Sequence, residues 1–131
     1  MKKQQLAMVV VGLLVGGVGC GSGPSVEAFC AQYEKIDELT AVQIDTSDPD
    51  ALEGYFTDTE AAFGDLVVAA PDDIKPDTQT LDQAFGDIMA ALRAIDFDPA
   101  AIDPSIFEIA TADEANNRVD SYYSANCAAI E

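Results

Sequence analysis

The side chains able to do chemistry in this chain are carboxylates, phenols and three thiols, and there is no histidine. Imidazole is the commonest general base and a common metal ligand, so Ser–His and Cys–His nucleophilic systems are excluded. Glycosidic hydrolysis needs only two flanking carboxylates, but among 24 Asp and Glu residues no pair stands apart by its spacing. Hard cations favour oxygen clusters such as Asp45, Asp48 and Asp50, or Asp96, Asp98 and Asp103. Neither loop has the alternating Asp order closed by a glycine and a distant glutamate. Asp48 and Asp103 each precede a proline, where helix capping accounts for them. Tyr33, Tyr55, Tyr122 and Tyr123 could line an apolar cleft for a lipid, or hold haem through a phenolate with Met89 nearby, although aromatic residues at helical spacing serve a core first. No glycine-rich phosphate loop is present, because Gly12, Gly16, Gly17 and Gly19 lie in an apolar leading segment. No catalytic residue, metal ligand or cofactor site is assigned, and the expectation is a protein that is not an enzyme.

The three thiols, Cys20, Cys30 and Cys127, are informative by position. Lys2 and Lys3 precede an uncharged apolar run, Leu6 to Gly19, which has the pattern of an export signal. Those fourteen residues would rise ~21 Å as a helix, short of the ~30 Å hydrocarbon layer, so a permanent span is disfavoured. Gly19-Cys20, followed by Gly21-Ser22-Gly23-Pro24-Ser25, resembles the cleavage site of bacterial lipoproteins, in which the cysteine is acylated and becomes the first mature residue. Gly17 departs from the usual aliphatic residue three places before the cysteine. Small residues at Gly17 and Gly19 also suit ordinary secretory cleavage, so both outcomes stay open. With Cys20 assigned to lipid, an even pair remains, and Cys30–Cys127 is expected to form a disulfide in an oxidising compartment. Two separately buried thiols are the alternative. With Cys20 assigned to lipid and Cys30 and Cys127 to the disulfide, zinc is left without its customary ligands.

Beyond Cys20 the only bases are Lys35, Lys75, Arg93 and Arg118; four bases against 24 acids leave a formal charge of −20. A surface of that sign repels the phosphate backbone, so nucleic acid is excluded as a partner. The acids are interleaved with Phe, Tyr, Leu, Ile and Val at regular intervals, unlike the low-hydrophobicity composition of disordered chains. A solvated acidic shell around a real core is expected, and its self-repulsion makes a cross-link useful.

The elements that must position these groups follow from a hydrophobic period of 3.6, with no sustained alternation of the kind that marks strands. Ser25 is a candidate N-cap for a first helix with the stripe Val26, Phe29, Cys30, Tyr33, Ile36 and Leu39, ending near Gln43 to Asp45. Asp48-Pro49 starts a second, with Leu52, Tyr55, Phe56, Thr59, Phe63 and Leu66 as its stripe, and Ala70-Pro71 stops it. A third begins between Asp72 and Asp77 and runs through Ile74, Leu81, Phe85, Ile88, Leu92 and Ile95. Pro99 and Pro104 break the next stretch into a loop with one short turn around Ser105 to Ile109, setting Ile106 or Phe107 on the core. Thr111 and Glu114 have capping-box spacing ahead of a fourth stripe, Ala115, Val119, Tyr122 or Tyr123, Asn126 or Cys127 and Ile130. Gly54, Gly64 and Gly86 fall inside helices, where close helix approach or a small crevice would explain them. The expected organisation is a signal peptide over 1–19, a lipidated Cys20 and flexible tether over 20–25, and one all-α domain over 26–131. That domain reads as an up-down bundle of about four helices, in which the first and last are antiparallel neighbours and bring Cys30 and Cys127 to the same end.

Phe29-Cys30 in the opening helix, Ala70-Pro71-Asp72-Asp73-Ile74 between the second and third, and Arg118-Val119, Tyr122 and Asn126-Cys127 at the end together resemble small helical lipoproteins and secreted proteins of actinobacteria. The resemblance covers most of the mature chain. It implies export, a bundle and a disulfide, and no activity. The expected protein is a lipid-anchored binding or interaction module on the outer face of the cell membrane, with an unknown protein or small apolar molecule as partner. The alternatives are an acidic envelope protein that binds Ca²⁺ or a cationic peptide, and a carboxylate-dependent hydrolase of cell-wall glycans.

Overall fold

In the computed structural model, which describes residues 23–128, Ser25 caps the first helix as its spacing predicts. Its hydroxyl accepts from the Ala28 N–H at 3.0 Å, satisfying one of the donors that a helix start leaves without a partner. Helix α1 spans Val26–Thr40. It stops earlier than the apolar pattern suggests, because the N–H groups of Ala41 and Val42 turn back onto Asp37 and Leu39 carbonyls and the following residues run out as an exposed connection. Helix α2, Pro49–Ala69, opens on Asp48, whose carboxylate accepts from the Asp50 N–H, and closes before Pro71. The Ser25 N–H donates to the Ala69 carbonyl at 3.1 Å, which ties the start of α1 to the end of α2 and makes them antiparallel.

Helix α3, Lys75–Ala94, takes Pro76 into its first turn, where the missing N–H has no partner to lose. Its end is unusual. Asp96 and Phe97 both have positive φ, 52° and 53°, with no glycine at either position. Such backbone costs about 1–3 kcal/mol per residue. Here it turns the chain so that the Phe97 N–H reaches the Leu92 carbonyl and the Phe97 ring is buried. Two 3-10 turns follow, Pro99–Ala101 and Pro104–Phe107, each capped by the aspartate before its proline. The sequence pattern suggested one turn; the Asp-Pro pairs at 98 and 103 make two. Ile106 packs on the core, while Phe107 stays 46% exposed and rests against Phe56.

Helix α4 covers Ala110–Asn126. The Thr111–Glu114 capping box is not formed: the Ile109 carbonyl accepts from both Ala112 and Asp113, so the helix starts ahead of Thr111. Glu114 instead lies 3.8 Å from Arg118 one turn on. No strand occurs among the described residues. The four helices form an up-down bundle in which each packs antiparallel on its chain neighbour, and Cys30 and Cys127 are joined, with Cα atoms 5.6 Å apart. Ile130 and the segment carrying the signal and Cys20 lie outside the described residues.

The interior has two parts. At the disulfide end Phe29, Leu66, Ile74, Leu81, Ala115 and Val119 pack around the Cys30–Cys127 bridge, with contributions from all four helices. At the other end Leu52, Met89, Leu92 and Phe97 pack beneath the two long connections. This division follows from helix length. Helix α1 has 15 residues and α4 has 17, against 21 and 20 for α2 and α3. The outer pair therefore covers only part of the central hairpin, and Ile44, Ile95, Ile102 and Ile106 from the loops cover the rest. Each fully buried large side chain contributes about 1.5–3 kcal/mol of transfer free energy to the fold.

Candidate functional site

Helices α1 and α4 close the bundle, and they do so unevenly. From the disulfide, the seam continues through the Phe29 and Tyr122 rings, edge to face with centroids 5.1 Å apart, and the stacked Tyr33 and Tyr123 rings at 4.2 Å. The Tyr33 hydroxyl donates to Asp120 Oδ1 at 2.5 Å, and the Tyr123 hydroxyl to Glu34 at 3.3 Å. Beyond this layer α1 presents Asp37 and Thr40 while α4 presents Asn116, all short side chains, and the seam opens. The result is a cleft of about 280 Å³, floored by Ile36, Phe63, Leu66, Leu81 and Val119 and rimmed by Tyr33, Asp37, Thr40, Asn116 and Asp120. A second, shallower crevice of about 200 Å³ shares Phe63, Leu81 and Asn116 and runs on past Phe85, Ile88 and Ala112. The cleft lies near the division between the two core clusters, drawing floor residues from the first and touching rings that lead to the second. Phe63 stands 5.1 Å from Phe85, which stands 6.0 Å from Phe56.

Part of the rim, Tyr33, Asp120 and Asn116, is a polar network. Asp120 accepts from Tyr33 through one oxygen and from Asn116 Nδ2 at 3.1 Å through the other. Removal of the Tyr33 phenol from water raises its pKa well above the usual range; donation to Asp120 and the charges of Asp120 and Asp37 add to the shift. The phenol is consequently a fixed donor at every ordinary pH. Among the described residues no base lines the cleft. The cations closest in sequence are engaged elsewhere, Lys35 with Asp65 at 3.8 Å and Arg118 with Asp77 at 2.6 Å.

The structure sorts the residues that the sequence singles out. Tyr33, Tyr122 and Tyr123 gather at the disulfide end, and Tyr33 alone of the four tyrosines lines the α1/α4 cleft. Tyr55 lies against Phe56 and borders a separate surface crevice with Leu39, Val42 and Ile44. Met89 is buried in the other cluster, so no phenolate–thioether pair is assembled around Tyr33, Tyr122 or Tyr123. The loop aspartates serve the backbone: Asp45 accepts from Ser47, Asp48 from Asp50, Asp98 from Ala100 and Asp103 from Ser105. The serine donors hold the carboxyls of Asp45 and Asp103 below the usual range. Among the described residues no three acidic or thiol groups converge as a metal site would require. Close helix approach does not account for the glycines: a Cβ at Gly54 or Gly86 would meet open space, and at Gly64 only Asp82 Oδ1 at 4.0 Å.

The Tyr33–Asp120–Asn116 network was not singled out from the sequence. Its one local signal is the four-residue spacing of Asn116 and Asp120, which places both on one helix face. Tyr33 meets them across 87 positions of chain, and no periodicity encodes that. Comparison with known proteins finds no matching family model, no matching curated protein and no matching solved structure. No helix among the described residues is long and apolar enough to cross a membrane.

Proposed function

We propose that this chain is an exported lipoprotein, anchored through an acylated Cys20 at the outer face of the cell membrane, and that its bundle is a non-enzymatic binding module. The observation that carries the binding role is the open α1/α4 seam: an apolar floor with a small, ordered set of polar groups at its rim has the makeup of a small-molecule site. A rigid frame supports it, since the disulfide holds the seam at one end and the phenol–carboxylate bond holds it one turn further on. Native mass spectrometry of the protein purified from its membranes tests the role. A non-covalent adduct that is lost when Thr40, at the exposed rim, is replaced by Trp is expected. An adduct-free protein that also takes up no apolar probe in titration would reject the reading.

The anchor has its own test. Cys20→Ser is expected to release the protein from the membrane fraction, and unchanged attachment would exclude lipidation at that cysteine. A second reading, an envelope protein that binds Ca²⁺ or a cationic peptide by surface charge, draws on the formal −20 beyond Cys20 and on the engagement of three of the four bases in ion pairs. That reading expects a rise in melting temperature on addition of Ca²⁺ that chelator reverses.

A further inference from the structure

We propose that the α1/α4 cleft selects a small organic ammonium compound, its apolar body on the floor and its protonated nitrogen at the mouth between Asp37 and Asp120. This rests on the binding role above and adds the ligand's charge and size. Among the described residues lining the cleft, the ionisable groups apart from the Tyr33 phenol are Asp37 and Asp120, both acids, and none is a lysine or arginine. The Asp37 side chain has neither a hydrogen bond nor an ion pair among the described residues, while Tyr33 and Asn116 fix the orientation of Asp120. An anion entering here would meet two like charges, and a neutral compound would cover carboxylates without offering them a donor. An ammonium group supplies both opposite charge and N–H donors. Tyr33 borders the same space, with one face of its ring covered by Tyr123. A volume of about 280 Å³ is at the lower bound of ligand sites and suits a body of one ring or a short branched chain.

The purified, disulfide-bonded protein should be titrated with three probes that share a body and differ in the head: 2-phenylethylamine, 2-phenylethanol and phenylacetate, followed by calorimetry or amide chemical shifts. The amine is expected to bind about tenfold more tightly than the alcohol, and phenylacetate more weakly than either, as two part-exposed charge contacts would give. Asp37→Asn should narrow the gap between amine and alcohol to roughly threefold, and raising salt on the unaltered protein should narrow it as well. Equal binding of amine and alcohol would overturn the ammonium selectivity and leave the cleft as a neutral apolar site. Failure of all three probes to bind, or binding that Thr40→Trp leaves unchanged, would overturn the cleft itself, because uptake by diffuse surface charge does not depend on that rim.

Discussion

Asp82 and Asp45 are both aspartates on a very acidic chain, yet the fold moves their protons in opposite directions. Asp82 is partly buried on α3, and its carboxyl is raised first by loss of water and then by the charge of Glu60 across the α2/α3 interface. A carboxyl whose pKa is higher folded than unfolded opposes folding when ionised. That penalty is complete at neutral pH and disappears as pH falls below the unfolded value of about 4. Asp82→Asn is therefore expected to raise the melting temperature at pH 7 and to lose that advantage below about pH 4, as melts across a pH series would show. Asp45 and Asp103 behave conversely. Their carboxyls are held low by Ser47 and Ser105, so their contribution is present at neutral pH and is lost as pH falls through the depressed values. The direction of each shift depends on what the fold places beside the carboxyl. Seryl neighbours two positions away are visible in the chain, whereas Glu60 is 22 positions from Asp82 and becomes its neighbour only when α2 packs on α3.

Helix beginnings follow local chemistry, and three of them match the pattern of caps and prolines: Ser25, Asp48-Pro49 and the Pro76 turn. The fourth does not, because the Ile109 carbonyl accepts from Ala112 and Asp113 and the helix already begins at Ala110, which puts Thr111 inside it rather than at its cap. Of the left-handed pair, Asp96 is a residue type that tolerates that backbone, whereas the bulky Phe97 is not, and the burial of its ring among Leu52, Met89 and Leu92 offsets the cost. Glycines within helices separate propensity from packing. Gly54 and Gly86 lie in α2 and α3 with nothing within 4 Å of an added Cβ. Gly54→Ala and Gly86→Ala are each expected to stabilise by about 1 kcal/mol, seen as a rise of about 4–8 °C in a thermal melt of a domain this small. A loss of stability in either variant would show that the helix surface there is occupied.

Four helices of this size enclose a core that is divided in two, under a shell that repels itself, and the disulfide acts where the packing is thinnest. Helices α1 and α4 touch far less than the other neighbouring pairs. The bridge closes 97 positions of chain across that seam. In the chain-entropy account a loop of this length stabilises by about 4–5 kcal/mol, with native strain reducing it. Replacing both Cys30 and Cys127 by Ala is expected to lower stability by about 2–5 kcal/mol in denaturant unfolding and to raise hydrogen exchange most in α4. Protection in α4 equal to that of α2 after the change would mean that side-chain packing alone holds the seam.

The order of helices, their apolar faces and the pairing of Cys30 with Cys127 were legible in the chain, because hydrophobic period, caps and cysteine number act over a few residues or follow from simple topology. The cleft was not. It exists because short side chains on α1 and α4 happen to face each other one turn beyond the Tyr33–Asp120 bond, and because both helices are shorter than the hairpin they cover. Each stripe specifies which face of its helix turns inward. How far two such faces remain apart depends on the volumes that meet across the seam, and those belong to residues nearly eighty positions distant from one another.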